Sequence, residues 1–149
     1  MSQVEQVGPL DKAVGYTLKR AATALRTAMD AALQPLGLTV PQYSCLEVLS
    51  QRPGLSNAEL ARAVFVTRQS MNLVLRGLQD RGLVTRPTTA PHGRALPTSL
   101  TADGDEHLRA ASAAVRAVEK RMLAPLSASR QDRLLHDLTA CVDALTPED

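Results

Sequence analysis

The middle of the chain carries two short helical patterns followed at once by two extended segments, and this order leaves few folds open. The stretch 56–59 (Ser-Asn-Ala-Glu) has the pattern of a capping box, in which serine and glutamate side chains satisfy free N–H groups at a helix start. A second helix is expected after Thr67, a candidate N-cap, with apolar residues at helical spacing: Met71, Val74, Leu75 and Leu78. After Gly82 the period changes to two, which predicts strands at 83–86 and 95–100, the second at an edge because of Pro97. Two helices and a hairpin in this order predict a helix-turn-helix followed by a β-wing.

Long amphipathic helices flank this segment on both sides. From Leu10 to Ala32 apolar residues recur at steps of three and four, and the pattern ends at 35–37, where Gly37 supplies a cap. Thr39 is a candidate N-cap for a second helix, and two further helical patterns follow Thr101. We therefore expect a mainly α fold, a winged helix-turn-helix with a two-stranded β-wing and long N- and C-terminal helices.

The flanking helices carry more apolar surface than one small domain buries. The chain has 149 residues and a mass of 16.0 kDa, and its hydrophobic residues include no Trp, one Phe and two Tyr. Helices with Ala- and Leu-rich stripes at both ends of so short a chain are expected to pack against a second copy. The sequence thus predicts a homodimer, although folding of these helices back onto their own domain is the alternative.

Positive charge is concentrated in the middle of the chain. The net charge is only +2, but the segment from Arg52 to Arg94 contains seven arginines, no lysine and two acids. That segment carries +5 and the rest of the chain −3, a distribution typical of a protein that meets a polyanion with one face. A solvated arginine-rich surface would give the same totals, so the arrangement of the residues has to decide.

Polar residues fall opposite the apolar stripe of the second short helix, where a helix in the major groove needs them. Arginine pairs with guanine and Gln or Asn with adenine, so Arg68, Gln69 and Asn72 are expected to contact base edges. The hydroxyl groups of Ser56, Thr67 and Ser70, together with Arg76, are expected to contact phosphates. Arg86 and Arg94 are expected to contact DNA through the wing. The complete set of DNA-binding candidates is Ser56, Thr67, Arg68, Gln69, Ser70, Asn72, Arg76, Arg86, His92 and Arg94. Double-stranded DNA is therefore the expected partner.

The chain resembles the MarR-type winged-helix transcriptional regulators from about Leu10 to Leu145. The segments that carry the resemblance are 38–43 (LTVPQY), 57–61 (NAELA), 66–71 (VTRQSM), 78–86 (LQDRGLVTR) and 99–104 (SLTADG). It implies an obligate homodimer, with an N-terminal dimerisation helix at 1–37, a DNA-binding lobe at 38–101 and C-terminal dimerisation helices at 102–149. It also implies a short palindromic operator, and binding weakened by a small phenolic or anionic ligand or by oxidation. The pocket position in the family makes Tyr16, Arg20 and Tyr43 the ligand-binding candidates.

Two positions depart from the family pattern. The wing tip usually carries an Asp-Arg-Arg run, whereas here His92-Gly93-Arg94 stands there, so Arg94 lacks its acidic partner. The turn of the helix-turn-helix often holds glycine, and here it holds Phe65. Either the turn avoids a left-handed backbone at Phe65 or the backbone there is strained.

Other chemistry has little support in the sequence. Cys45 and Cys141 are both expected to be buried small hydrophobes, with a thiol-based redox sensor as the alternative. Asp103 and His107 have the spacing of half a metal site, but a helix dipole also favours acids in the first turn, so we expect no metal or cofactor. No catalytic grouping, signal peptide or membrane-spanning run is apparent, which predicts a soluble cytoplasmic protein that is not an enzyme. A winged-helix protein-interaction module without DNA binding is the remaining alternative.

Overall fold

The computed structural model describes residues 8–86 and 98–148. In chain order the helices are α1 Val14–Leu33, α2 Val40–Gln51, α3 Asn57–Ala63, α4 Arg68–Asp80, α5 Ala102–Leu123 and α6 Ala128–Leu145, and the strands are β1 Val84–Thr85 and β2 Ser99–Leu100. Short 3-10 turns occupy Leu10–Lys12 and Gln34–Leu36. The predicted mainly α winged helix-turn-helix fold is confirmed.

Two boundaries differ from those expected. The first helix does not run from Leu10, because Ala13 adopts an extended backbone and separates the first 3-10 turn from α1. The wing strands are shorter than the alternating pattern, and they pair antiparallel with Val84 opposite Leu100 and Thr85 opposite Ser99. Leu83 and Arg86 lie just outside β1, and residues 95–97 fall outside the described residues.

Side-chain caps fix the residues at which α2 and α3 begin. Ser56 Oγ accepts a hydrogen bond from the Glu59 N–H at 3.3 Å, and the Glu59 carboxylate accepts one from the Ser56 N–H at 3.1 Å, as predicted. The latter bond is the main reason why the pKa of Glu59 is lowered. Thr39 and Gln42 form a second capping box at α2. Each box begins a helix at a fixed residue, and so fixes the length of the loop before it.

The core lies where α2, α3 and α4 meet the C-terminal end of α1 and the N-terminal half of α5. Its largest fully buried side chains include Leu33, Leu46, Leu60, Met71, Leu75 and Leu78. Three of these belong to α4, so the inner face of α4 is fixed by packing while its other face stays outside.

Three hydrogen bonds hold the ends of α4 and β1 against the flanking helices. The Arg81 guanidinium donates to the Gly37 carbonyl oxygen at 2.6 Å, which joins the end of α4 to the loop after α1. Thr101 donates its hydroxyl to the Gly82 carbonyl oxygen at 2.6 Å and its backbone N–H to that of Leu83 at 3.1 Å. The base of the wing is therefore tied directly to the start of α5.

Candidate nucleic-acid interface

The outer face of α4 is exposed and, apart from Leu73, polar. Arg68, Gln69, Ser70, Asn72 and Arg76 are all exposed, as the sequence pattern requires of residues that contact DNA. Their backbone is held in place because Met71, Leu75 and Leu78 are fully buried on the other side. A helix anchored in this way presents amide and guanidinium groups on a fixed surface.

Two of the three candidate hydroxyl groups, those of Ser56 and Thr67, also cap helices. Ser56 Oγ caps α3, and Thr67 Oγ1 accepts from the Ser70 N–H at 3.0 Å at the start of α4. Thr67 also donates its hydroxyl to Ser70 Oγ at 3.1 Å. The Thr67 proton is thus engaged within the chain, whereas the Ser70 hydroxyl lies at the exposed N-terminus of α4, where N–H groups suit a phosphate.

Asn72 is held by a residue that the sequence did not single out. Asn57, the first residue of α3, donates its Nδ2 amide to Asn72 Oδ1. The Oδ1 atom of Asn57 is itself buried and has no hydrogen-bond partner among the described residues. Because Asn72 Oδ1 accepts this bond, the Asn72 Nδ2 amide is the part of the side chain most free to donate to a base.

The turn between α3 and α4 has a left-handed residue at Phe65, where φ is 62°. The Phe65 N–H bonds to the Arg62 carbonyl at 3.4 Å, and the Val66 N–H bonds to that of Ala61 at 3.0 Å. This is the Schellman arrangement, in which the left-handed position is normally glycine. Of the two possibilities left open by the sequence, the strained backbone is therefore the one observed, and the Phe65 side chain is 93% exposed.

The wing is only partly within the described residues. Arg86 directly follows β1 and is half-buried. His92 and Arg94 lie outside the described residues, so their predicted contacts stay predictions.

A polar network joins α2 to α5. The Tyr43 hydroxyl donates to Glu47 Oε2 at 3.5 Å, and the Ser112 hydroxyl donates to the same oxygen at 3.0 Å. Burial, and next the negative charge of Glu47, raise the pKa of Tyr43. Beside this network lies a cleft of about 240 Å³ whose lining includes Glu47, Ser112, Arg109 and Arg116. Sequence reasoning missed Glu47 and Ser112, although Glu47 stands one helical turn after Tyr43.

The three ligand-binding candidates are in two different environments. Tyr43 is half-buried beside the cleft, whereas Tyr16 and Arg20 lie exposed on α1. Their assignment to one pocket stays a prediction.

The two cysteines differ sharply. Cys45 is fully buried on α2, as expected, and burial raises the pKa of its thiol to about 12. Cys141 is exposed on α6, so the expectation that it is buried is wrong for the single chain. The physical reason is that none of the residues of α6 is buried against the rest of the chain.

Within residues 8–86 and 98–148 no cluster of three or more His, Cys, Asp or Glu side chains has the geometry of a metal site. His107 Nδ1 instead lies 2.9 Å from the carbonyl oxygen of Asp103. In the same residues no helix has the length and hydropathy required to cross a membrane.

Known proteins are similar to this chain in sequence. The model of the MarR family matches residues 36–95. The HTH-type transcriptional repressor Rv2887 of Mycobacterium tuberculosis is 52% identical over 121 residues, which cover 81% of this chain and 87% of the relative.

Two solved structures of Rv2887 superimpose on the chain. Its complex with DNA has a TM-score of 0.74 at 48% identity and covers 86% of this chain and 96% of the other. Its complex with p-aminosalicylic acid has a TM-score of 0.73 at 49% identity and covers 86% and 97%. Sequence, fold and the exposed polar face of α4 agree, and the chain belongs to the MarR family of winged helix-turn-helix transcriptional regulators.

Proposed function

We propose that this protein is a homodimeric repressor that binds a pseudo-palindromic operator and is released by a small phenolic or anionic effector. The observation that carries the proposal is the exposed polar face of α4, backed by three fully buried side chains of the same helix. The protein acts by binding rather than by catalysis, and we place it in the cytoplasm, where the operator is.

The dimer follows from the apolar residues that the single chain leaves exposed. Five large apolar side chains of α6 are exposed, namely Leu134, Leu135, Leu138, Val142 and Leu145. Val14 and Leu18 of α1 are exposed as well. Isolated exposed leucines are ordinary, but a helix that is apolar along one side and buries nothing needs a partner. A second copy, joined through α1 and α6, is the partner we propose.

In such a dimer the two α4 helices would enter successive major grooves about 34 Å apart. Arg68, Gln69 and Asn72 would contact base edges. Ser56, Thr67, Ser70 and Arg76 would lie at phosphates, and the wing residues Arg86, His92 and Arg94 would contact the adjoining backbone or minor groove.

For the effector we propose the region around Tyr43. A phenol and two guanidinium groups suit an aromatic acid, and the cleft beside Tyr43 offers Arg109 and Arg116. Tyr16 and Arg20 would complete the site from α1. The complex of Rv2887 with p-aminosalicylic acid supports this class of ligand. An effector at the junction of α2 and α5 releases DNA only if it binds one dimer geometry more tightly than the other.

The test is fluorescence anisotropy of a labelled promoter duplex titrated with full-length protein at several salt concentrations. The logarithm of affinity is expected to fall by about 0.9 for each phosphate contact per tenfold rise in salt. Arg76→Ala removes two contacts from a dimer and is expected to reduce that slope by roughly 1.8. Addition of p-aminosalicylic acid is expected to lower the anisotropy.

The matched control is Arg26→Ala, an exposed arginine on α1 outside the lobe, which is expected to leave the slope unchanged. A salt-independent affinity, or equal effects of the two variants, would contradict the proposed contacts. Binding that p-aminosalicylic acid leaves untouched would contradict the effector class alone.

A further inference from the structure

Leu73 stands on the outer face of α4, among the residues proposed to contact DNA. At about 100° per residue, Leu73 lies roughly 40° from Gln69 and roughly 60° from Arg76 around the helix axis. Its side chain is 67% exposed, whereas Met71 and Leu75, two positions away on either side, are fully buried. Leu73 is thus a large apolar group in the middle of an otherwise polar surface.

Neither helix formation nor folding of the chain calls for leucine at this position. Arg, Lys, Gln and Glu form helices about as well as Leu, so intrinsic preference does not select an apolar side chain here. Leu73 also does not belong to the hydrophobic core or to the apolar residues packed against it. The folded chain thus does not use this side chain in its core, which leaves it available to a partner molecule.

The charge around Leu73 points to the kind of partner. Arg76 lies one turn further along α4 and Gln69 one turn before, and the segment from Arg52 to Arg94 has a net charge of +5. A purely apolar protein surface placed on Leu73 would bury these polar groups without partners, which is costly. The major groove of duplex DNA offers acceptors for both and, at each thymine, a methyl group that protrudes among them.

We propose that Leu73 packs against the 5-methyl group of one thymine in each operator half-site and thereby makes the protein select a T·A pair there. The inference rests on the proposed function, because it requires α4 to enter the major groove. Cytosine at the same position offers no methyl group, and a purine places polar atoms where the leucine side chain would lie.

The experiment uses an operator duplex selected from a random pool by the full-length protein. Each thymine of one half-site is replaced in turn by deoxyuridine, which lacks only the methyl group. We expect one position at which this change weakens binding about fourfold, the effect of removing one buried methyl-sized group.

The second arm repeats the scan with Leu73→Ala. At the position found with the unaltered protein, deoxyuridine is expected to cost Leu73→Ala nothing, while effects at other thymines persist. The variant itself is expected to bind the unmodified operator roughly sixteenfold more weakly, because both half-sites lose the contact. Arg26→Ala, which changes an exposed residue of α1 outside the proposed interface, is expected to keep the full pattern.

Two results would overturn the inference while leaving the proposed function intact: no thymine whose methyl group matters, or the same deoxyuridine effects in Leu73→Ala as in the unaltered protein. Failure to select any duplex is a different result, because it contradicts the proposed function and this inference with it. Circular dichroism of Leu73→Ala confirms that an exposed-site change has left the fold unaltered.

Discussion

Phe65 occupies a left-handed backbone position after a helix, which glycine occupies elsewhere in this chain. Gly37 and Gly82 also have positive φ and follow a helix, and the N–H after each bonds five residues back, as the Val66 N–H does. A left-handed backbone costs a residue with a Cβ atom about 1–2 kcal/mol, whereas glycine pays about 0.5–1 kcal/mol in chain entropy. We expect Phe65→Gly to raise the free energy of unfolding by up to about 1 kcal/mol, measured by urea denaturation.

The control for that change is Phe65→Ala, which removes the ring but keeps the Cβ atom. If the backbone is the cause, Phe65→Ala leaves the free energy of unfolding close to its original value. An equal gain in both variants would assign the effect to the exposed ring instead.

Cys45 offers a second test at the level of one residue. Burial raises the pKa of its thiol to about 12, so the reactive thiolate is scarce at pH 8. We expect Cys45 in the folded protein to resist iodoacetamide at pH 8 while both cysteines react in guanidinium, as followed by peptide mass spectrometry. Modification of Cys45 at the unfolded rate would support the redox-sensing alternative. The raised pKa also means that any stability from the protonated thiol is lost as pH rises from about 9 towards 12.

Features that depend on neighbouring residues were predictable from the sequence, and those that depend on distant ones were not. Ser56 and Glu59 lie three positions apart, so their capping box can be inferred directly. The backbone of Phe65 depends on how α3 and α4 pack, and the bond between Asn57 and Asn72 joins two helices. The sequence could therefore name the residues of the candidate interface without giving their partners.

The junction of β1 with α5 depends on one glycine. A Cβ atom on Gly104 would lie 2.0 Å from the carbonyl oxygen of Leu83, which is part of the backbone and cannot rotate away. We expect Gly104→Ala to lower the free energy of unfolding by about 2 kcal/mol, because the helix must move off the strand. The same movement displaces the wing, so operator affinity is expected to fall as well.

Gly15 on α1 is the matched control, because nothing lies within 4 Å of the Cβ atom that alanine would add. Gly15→Ala is expected to raise the free energy of unfolding by about 0.5–1 kcal/mol, the ordinary gain from replacing glycine in a helix. Equal shifts in the two variants, measured by thermal and urea unfolding, would show that the contact with Leu83 does not limit the packing of α5.

At the scale of helices and strands, periodicity predicted the positions of the six helices found in residues 8–86 and 98–148, but not the limits of the wing strands. The apolar stripes fix each helix through its own residues. The pairing of Val84 with Leu100 instead joins residues sixteen positions apart in the sequence, and an alternating pattern alone does not fix where pairing begins or ends.

We propose that the apolar surface of the whole molecule is covered only in a dimer, and a substitution in α6 tests this. Leu135 is 68% exposed in the single chain. We expect Leu135→Glu to shift the mass measured by light scattering from about 32 kDa, twice the chain's 16.0 kDa, towards that of a monomer. Phe65→Glu places a charge on an even more exposed apolar residue away from α6, and this variant is expected to remain a dimer.

The exposure of Cys141 shows why the sequence alone misjudged this part of the chain. Its helical stripe resembles that of a core helix, and the same pattern results whether the covering surface belongs to the same chain or to a second one. A helix whose apolar side faces another copy has that side exposed when one chain is taken alone. The apolar side of α6 is exposed in the single chain.

The most direct test of the central claim, that two α4 helices are held at a separation matching the pitch of DNA, is affinity as a function of half-site spacing. The selected operator is compared with a duplex in which five additional base pairs separate its halves and place them on opposite faces of DNA. We predict that affinity for the altered duplex falls to that for a single half-site. Equal affinity for the two duplexes would contradict a rigid dimer with paired recognition helices.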